Sequence, residues 1–194
     1  MAGLFETLKK DTLAAHKQLE KTAPFSHLMC DSLTLARYTQ VLQVMAAFHH
    51  YVACTADRDS ATPAASFMQM NQVEQALAKD LQALGVSSTG FVTTSDRAEE
   101  HAVSFSLAAG YVWLGSSMGA RIINQWLSKH RPDFPRHYYS TMIELGENWR
   151  AFQQSVEAFA KQKSVKTDRV VHYANLLFEG LYHTASETGE TACA

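Results

Sequence analysis

The sequence predicts an all-α protein that forms one domain over residues 1–194. Apolar residues recur at spacings of three and four over long stretches, which is typical of amphipathic helices. The 9 glycines and 4 prolines fall mostly between these stretches, and no convincing run of alternating apolar and polar residues indicates a strand. A chain of 194 residues is long enough for one sizeable core and short for two domains.

The first three helices are predicted by their apolar stripes and end signals. They are expected at residues 3–21, 34–55 and 67–84. An apolar stripe runs from Leu4 to Leu19, and Pro24 lies just beyond its end. Thr34 suits the N-cap of the second helix, and Gly85 supplies a stop for the third.

The remaining helices are expected at residues 95–129, 136–162 and 167–188. The segment 85–94 is rich in turn residues, and Glu99 and Glu100 then favour the positive end of the following helix. Segment 131–135 contains two prolines and breaks the chain before the next helix. Gly146 is expected to interrupt that helix.

The composition limits which binding partners and which cellular compartment are expected for this protein. Lys and Arg number 17 and Asp and Glu number 19, so the net charge of −2 argues against nucleic-acid binding. The cysteines Cys30, Cys54 and Cys193 are distant from one another and indicate free thiols in a reducing compartment. Neither a signal peptide nor an apolar run of roughly 20 residues is found. We therefore expect a soluble cytoplasmic protein, with a monomer as the simplest state and no membrane partner.

His16 is the first candidate functional residue. On a helix, Lys9, Thr12, His16 and Glu20 share one face. Neutral imidazole is a good iron ligand, and a carboxylate one turn away can hold its other nitrogen in the required tautomer. Lys9 could reach an anionic group at the edge of a planar ligand on this face. The alternative is an ordinary surface histidine.

Three glycines within the long fourth helix form the second candidate feature. Gly110, Gly115 and Gly119 each cost about 1 kcal/mol relative to alanine. One interpretation is close helix–helix packing through small residues. The other is a flat ligand lying against bare backbone, with room for a small diatomic molecule and with the Ser116 hydroxyl beside it.

The adjacent histidines at positions 49 and 50 are a third candidate feature, for metal binding. Neighbouring side chains on a helix point about 100° apart, so His49 and His50 are not expected to face one metal. No carboxylate–histidine pattern typical of a di-iron bundle occurs either.

Two segments together resemble the heme oxygenase family, in its bacterial, biliverdin-producing branch. Residues 8–20 match the pattern L-K-x-x-T-x-x-x-H-x-x-x-E of its proximal helix, and residues 111–119, Tyr-Val-Trp-Leu-Gly-Ser-Ser-Met-Gly, are similar to its distal helix. Residues 149–152 and 174–179 are similar to later segments of the family. The resemblance implies a helical bundle that holds heme between a proximal and a kinked distal helix.

The resemblance also implies roles for individual residues. His16 corresponds to the axial ligand of the heme iron and Lys9 to a residue that contacts a propionate. The residues expected to bind heme b are His16, Lys9, Thr12, Glu20, Tyr111 and Arg121. Those expected to act on the distal side are Gly115, Ser116 and Gly119. Ser116 lies where the mammalian branch has a catalytic aspartate, so proton delivery passes to water that Ser116 helps to order.

The implied reaction is the oxidative cleavage of heme to biliverdin, with release of Fe²⁺ and CO. It uses O₂ and electrons from an external reductase or ferredoxin, because the sequence has no flavin or nucleotide fingerprint. Val112 stands where mammalian members carry a basic residue that orients the porphyrin, which leaves the cleaved meso carbon open. Three alternatives stay open: a non-catalytic heme-binding or storage protein, a different enzyme on the same fold, and a purely structural bundle.

Overall fold

The computed structural model describes residues 3–56, 62–93 and 101–190, and these residues form helices without a strand. A short 3₁₀ turn covers Phe25–His27. The helices are α1 Leu4–Asp11, α2 Leu13–Glu20, α3 Leu35–Ala56, α4 Ala64–Met68, α5 Met70–Ala83, α6 Ala102–Gly115, α7 Ser117–His130, α8 His137–Gly146, α9 Trp149–Gln162 and α10 Thr167–Glu190. The all-α prediction is confirmed.

The first predicted helix is divided in two at Thr12. The Thr12 hydroxyl donates a hydrogen bond to the Leu8 carbonyl at 2.8 Å, and such bonding to the preceding turn bends helices. The carbonyl of Asp11, at the end of α1, accepts a hydrogen bond from the Asn175 side chain at 3.4 Å. The break lies one turn before His16.

The long fourth helix is interrupted at Ser116, between α6 and α7. The hydroxyls of Ser116 and Ser117 donate to the carbonyls of Trp113 and Leu114, at 2.7 and 2.6 Å. These bonds compete with the regular backbone ladder, which accounts for the interruption. The predicted start of this helix near residue 95, with Glu99 and Glu100, lies outside the described residues.

Two further predicted helices also divide. Gly146 ends α8, and α9 begins at Trp149, as the sequence predicted. A Cβ at Gly146 would lie 3.1 Å from the Ser117 side-chain oxygen, so the glycine lets α8 approach the start of α7. Gln69, with a left-handed φ of 44°, separates α4 from α5 within the predicted third helix.

The central helix α6 is apolar on all sides, as expected for a helix surrounded by others. It packs against α3, α4, α8, α9 and α10, and Trp113 at its centre is fully buried. Phe5 of α1 contacts the rings of Tyr111 and Phe152, and the Glu157 carboxylate accepts a hydrogen bond from its backbone nitrogen at 3.1 Å. These contacts hold the amino-terminal helices against α6 and α9.

A buried carboxylate positions the start of α8. Asp80 is fully buried and accepts hydrogen bonds from the backbone nitrogens of His137 and Tyr138 at 2.9 and 2.8 Å. It also pairs with the His137 ring nitrogen Nδ1 at 2.7 Å. A carboxylate at a helix N-terminus satisfies free donors and complements the helix dipole. Asp80 therefore fixes the backbone that carries Tyr138.

Candidate functional site

The two candidate segments meet at one polar contact. The hydroxyl oxygens of Thr12 and Tyr111 lie 3.3 Å apart, and Thr12 is buried. His16 follows Thr12 by four residues, and Gly115 follows Tyr111 by four. Because four residues span about one helical turn, each candidate residue lies one turn beyond the shared contact. The structure thus brings the two segments together at the pair Thr12–Tyr111.

The three glycines of this region have different surroundings. A Cβ added at Gly110 would lie 2.9 Å from the Ala64 Cβ and 3.1 Å from the Phe152 ring, so close packing explains that glycine. A Cβ at Gly115 would meet nothing within 4 Å, and one at Gly119 would meet only Ile123 at 3.8 Å. Helix packing therefore does not account for Gly115 or Gly119, whose bare backbone faces open space.

Large apolar side chains are exposed on α2 and on α7. Leu13 on α2 is 46% exposed, and Met118 and Ile122 on α7 are 57% and 61% exposed. Met118 and Ile122 lie one turn apart, next to Gly115 and Gly119 along the helix. Exposed apolar residues grouped in this way mark a binding surface more often than single ones do. The surface suits a flat, largely apolar ligand.

His16 presents one ring nitrogen to a carboxylate. Its Nδ1 lies 3.6 Å from Oε1 of Glu20, and the ring stands edge-on to Phe178 with centroids 5.6 Å apart. The side chain is 52% exposed. Since Nδ1 faces the carboxylate, Nε2 is the nitrogen available to a metal.

Behind Ser116 lies a buried polar network that the sequence did not reveal. The Tyr138 side chain hydrogen-bonds Ser116, and its hydroxyl oxygen lies 3.0 Å from Nε2 of His49. The Ser116 hydroxyl donates its one proton to the Trp113 carbonyl at 2.7 Å. The Ser116 oxygen is therefore held as an acceptor.

Burial determines the protonation of this network. It lowers the pKa of His49 to about 3, so the imidazole is neutral near pH 7. Burial also raises the pKa of Tyr138, more than the hydrogen bond with Ser116 lowers it, so the phenol keeps its proton. The Nδ1 atom of His49 is buried without a hydrogen-bond partner. His49 faces the interior and His50 faces solvent, as the sequence predicted for adjacent helical positions.

Comparison with known proteins shows the family to which this chain belongs. A family model described as heme oxygenase matches residues 2–105, more than half of the chain. The chain belongs to the heme oxygenase family. Family membership supports heme as the ligand and a heme-degrading function in general.

A solved structure shares the fold of this heme oxygenase family member. The structure of heme oxygenase from Leptospira interrogans matches with a TM-score of 0.71 and 17% sequence identity, covering 96% of this chain and 100% of that chain. No curated protein matches this sequence. At this level of identity the comparison shows the fold, and the roles of individual residues must come from the site.

The basic residues predicted to bind heme propionates stay predictions. Lys9 and Arg121 are exposed, and neither forms an ion pair within the described ranges. Over residues 3–56, 62–93 and 101–190, no group of three or more His, Cys, Asp or Glu side chains is placed to hold a metal ion. In the same part of the chain, every helix is too short or too polar to cross a bilayer.

A groove in the structure is formed by other residues. A groove of about 710 Å³ between α5, α7 and α8 is lined mainly by polar side chains, among them Lys79, Asn124 and Arg136. It includes none of the residues predicted for heme binding or catalysis. The amide oxygen of Asn124 is buried there without a partner. An apolar porphyrin suits this polar groove poorly, whereas the surface beside Gly115 and Gly119 suits it well.

The buried histidine gives a prediction on pH and stability. In the unfolded chain His49 takes up a proton near pH 6.5, whereas in the folded chain it does so only near pH 3. Between these values the unfolded state binds more protons, so the free energy of unfolding falls as pH falls, by up to about 1.4 kcal/mol per pH unit. The full contribution is present above pH 6.5.

Urea unfolding of wild type and His49→Gln at about pH 7 and about pH 5.5 measures this effect. We expect the wild type to lose about 1 kcal/mol more than the variant over this interval. Equal losses in the two proteins would contradict a neutral buried His49.

Proposed function

We propose that this protein is an enzyme that cleaves heme b oxidatively to biliverdin, releasing Fe²⁺ and CO. The observation that carries the proposal is the open space beside the bare backbone of Gly115 and Gly119, one turn beyond the contact that joins their helix to the helix of His16. Bound heme supplies the redox chemistry, and the protein supplies its ligand, its orientation and its proton path.

On the proximal side, Nε2 of His16 ligates the heme iron. Glu20 faces Nδ1 and holds the imidazole in the tautomer that leaves Nε2 free. The hydroxyl oxygens of Thr12 and Tyr111 lie 3.3 Å apart and join the two segments that would hold the porphyrin. Lys9 and Arg121 reach the propionates from the exposed rim.

On the distal side, Gly115 and Gly119 leave room for O₂ because neither carries a side chain. Ser116 contributes an acceptor: its own proton is donated to the Trp113 carbonyl, so its oxygen accepts a hydrogen bond from water and orients that water toward the reacting centre. Tyr138 and His49 hold this oxygen in place from the buried side. An arrangement of this kind orients water as the proton source and presents no strong acid.

Electrons come from a separate reductase or ferredoxin, as the sequence predicts. The isolated cysteines favour the reducing environment of the cytoplasm, where we expect the protein to act as a monomer. The polypeptide then contributes binding and proton transfer, and its redox partner contributes the reducing equivalents.

The experiment is to add one equivalent of hemin to the purified protein and to supply electrons in air from ascorbate or a ferredoxin reductase system. We expect a sharp Soret band that decays as the broad red absorption of biliverdin appears. A stable Soret band under reducing conditions would favour the non-catalytic heme-binding alternative. The absence of any Soret shift would overturn heme binding itself.

A further inference from the structure

A cysteine, a histidine and a glutamate form a hydrogen-bonded series on the surface, apart from the predicted heme-binding and catalytic residues. Sγ of Cys54 lies 3.6 Å from Nε2 of His50, one turn earlier on α3. Nδ1 of the same ring lies 2.9 Å from Oε1 of Glu74 on α5. The histidine thus uses both ring nitrogens, one toward a thiol and one toward a carboxylate.

The order of these groups determines the tautomer of His50. A carboxylate only accepts hydrogen bonds, so Glu74 holds the proton on Nδ1. Nε2 then carries the lone pair and accepts the thiol proton of Cys54. The three side chains therefore form the spatial order of nucleophile, base and base-orienting group. This order activates cysteine nucleophiles in general.

Accessibility also suits a reaction with a dissolved molecule. Cys54 and His50 are exposed, and Glu74 is partly buried, so the sulfur is open to solvent while the carboxylate is held against α5. Among the described residues, the other exposed thiol is that of Cys30, which contacts a backbone carbonyl, Ser26 O at 3.7 Å. A carbonyl oxygen is a poor base compared with imidazole. Cys30 is therefore a control for Cys54 within the same chain.

We propose that Cys54 is a thiol-modification site that reacts with low-molecular-weight disulfides, with His50 as its base and Glu74 as the residue that orients the base. The Cys54 proton passes to Nε2 of His50, and the thiolate attacks one sulfur of the disulfide. A bond forms between Cys54 and that sulfur as the original S–S bond breaks. The second sulfur leaves as a thiolate and takes up the proton, so the products are a mixed disulfide and one small thiol.

This site is independent of the proposed heme chemistry. His50 lies on the solvent face of α3, about 100° around the helix from the buried His49, which contacts Tyr138. None of Cys54, His50 and Glu74 is among the residues assigned to heme. Failure of one proposal therefore leaves the other standing.

The test is the rate at which each cysteine of the full-length protein reacts with the neutral disulfide dithiodipyridine near neutral pH. Peptide mapping under non-reducing conditions resolves Cys54 from Cys30. We expect Cys54 to react at least about tenfold faster than Cys30, below the usual range for a positioned base because the site is exposed. We expect His50→Gln to bring Cys54 to within about twofold of Cys30, and Glu74→Gln to give an intermediate rate.

Cys30 reports on the folded state in every variant, and its rate is expected to stay constant. Equal rates for the two cysteines in the wild type would overturn the proposal. So would a fast Cys54 that keeps its rate in His50→Gln, because the reactivity would then have another cause. A Glu74→Gln rate equal to that of the wild type would overturn the orienting role of the carboxylate.

Discussion

Replacing His16 with alanine is expected to abolish conversion of heme to biliverdin. The variant lacks the imidazole that we assign to the iron, while Glu20 and the apolar surface of α7 stay in place. We expect the sharp Soret band of the wild type to be replaced by a weaker, broader one, and turnover to fall by at least about 100-fold. Absorption spectra with one equivalent of hemin and a single-turnover assay measure both effects.

The chain offers a matched control for this substitution. His183 on α10 is a partly exposed histidine that also has a glutamate one turn away, at 3.8 Å from Glu179. His183→Ala is expected to keep the wild-type spectrum and turnover. Added imidazole should restore part of the Soret band in His16→Ala, because it can occupy the place of the missing side chain. A wild-type spectrum in His16→Ala would assign the iron to a different ligand.

Replacing Gly119 with leucine is expected to stabilise the fold and to block the reaction. Leucine favours a helix over glycine by roughly 0.5–1 kcal/mol, and a Cβ at this position makes only an ordinary contact with Ile123 at 3.8 Å. The rest of the side chain then extends into the space that we assign to heme and O₂. The midpoint temperature of thermal unfolding without heme should rise by roughly 2–4 °C, while turnover falls at least about 100-fold.

Two alanine variants separate this effect from helix packing. Gly115→Ala has nothing within 4 Å of its new methyl group and should also stabilise the heme-free protein. Gly110→Ala places its methyl group against Ala64 and Phe152 and should destabilise it, by about 1–3 kcal/mol. A loss of stability in Gly119→Leu, equal to that in Gly110→Ala, would show that Gly119 serves packing after all.

The sequence determined the features that depend on near neighbours along the chain. Apolar spacing of three and four residues predicts helices, because it reflects the period of one helix. The same period predicted that Glu20 would lie beside His16, and the structure confirms this pairing at 3.6 Å. It also predicted that the side chains of His49 and His50 would point about 100° apart and not toward one metal.

Only the tertiary structure decided which glycines pack and which face open space. Gly110, Gly115 and Gly119 look alike in the sequence, and the difference arises from the neighbours Ala64 and Phe152, which come from distant segments. The interruptions at Thr12 and Ser116 likewise required their side-chain hydrogen bonds to be seen, since helix propensity alone favours continuation.

The buried contacts of Tyr138 and His49 near Ser116 could not be predicted from the sequence either. Tyr138 and His49 are separated by 89 positions, and no local spacing relates either of them to Ser116. Their contact exists because Asp80 fixes the start of α8 and the surrounding apolar core excludes water from the hydroxyl and imidazole groups. Local periodicity therefore determined the helices and the His16–Glu20 pair, whereas long-range packing decided where the bare backbone is open and how Ser116 is held.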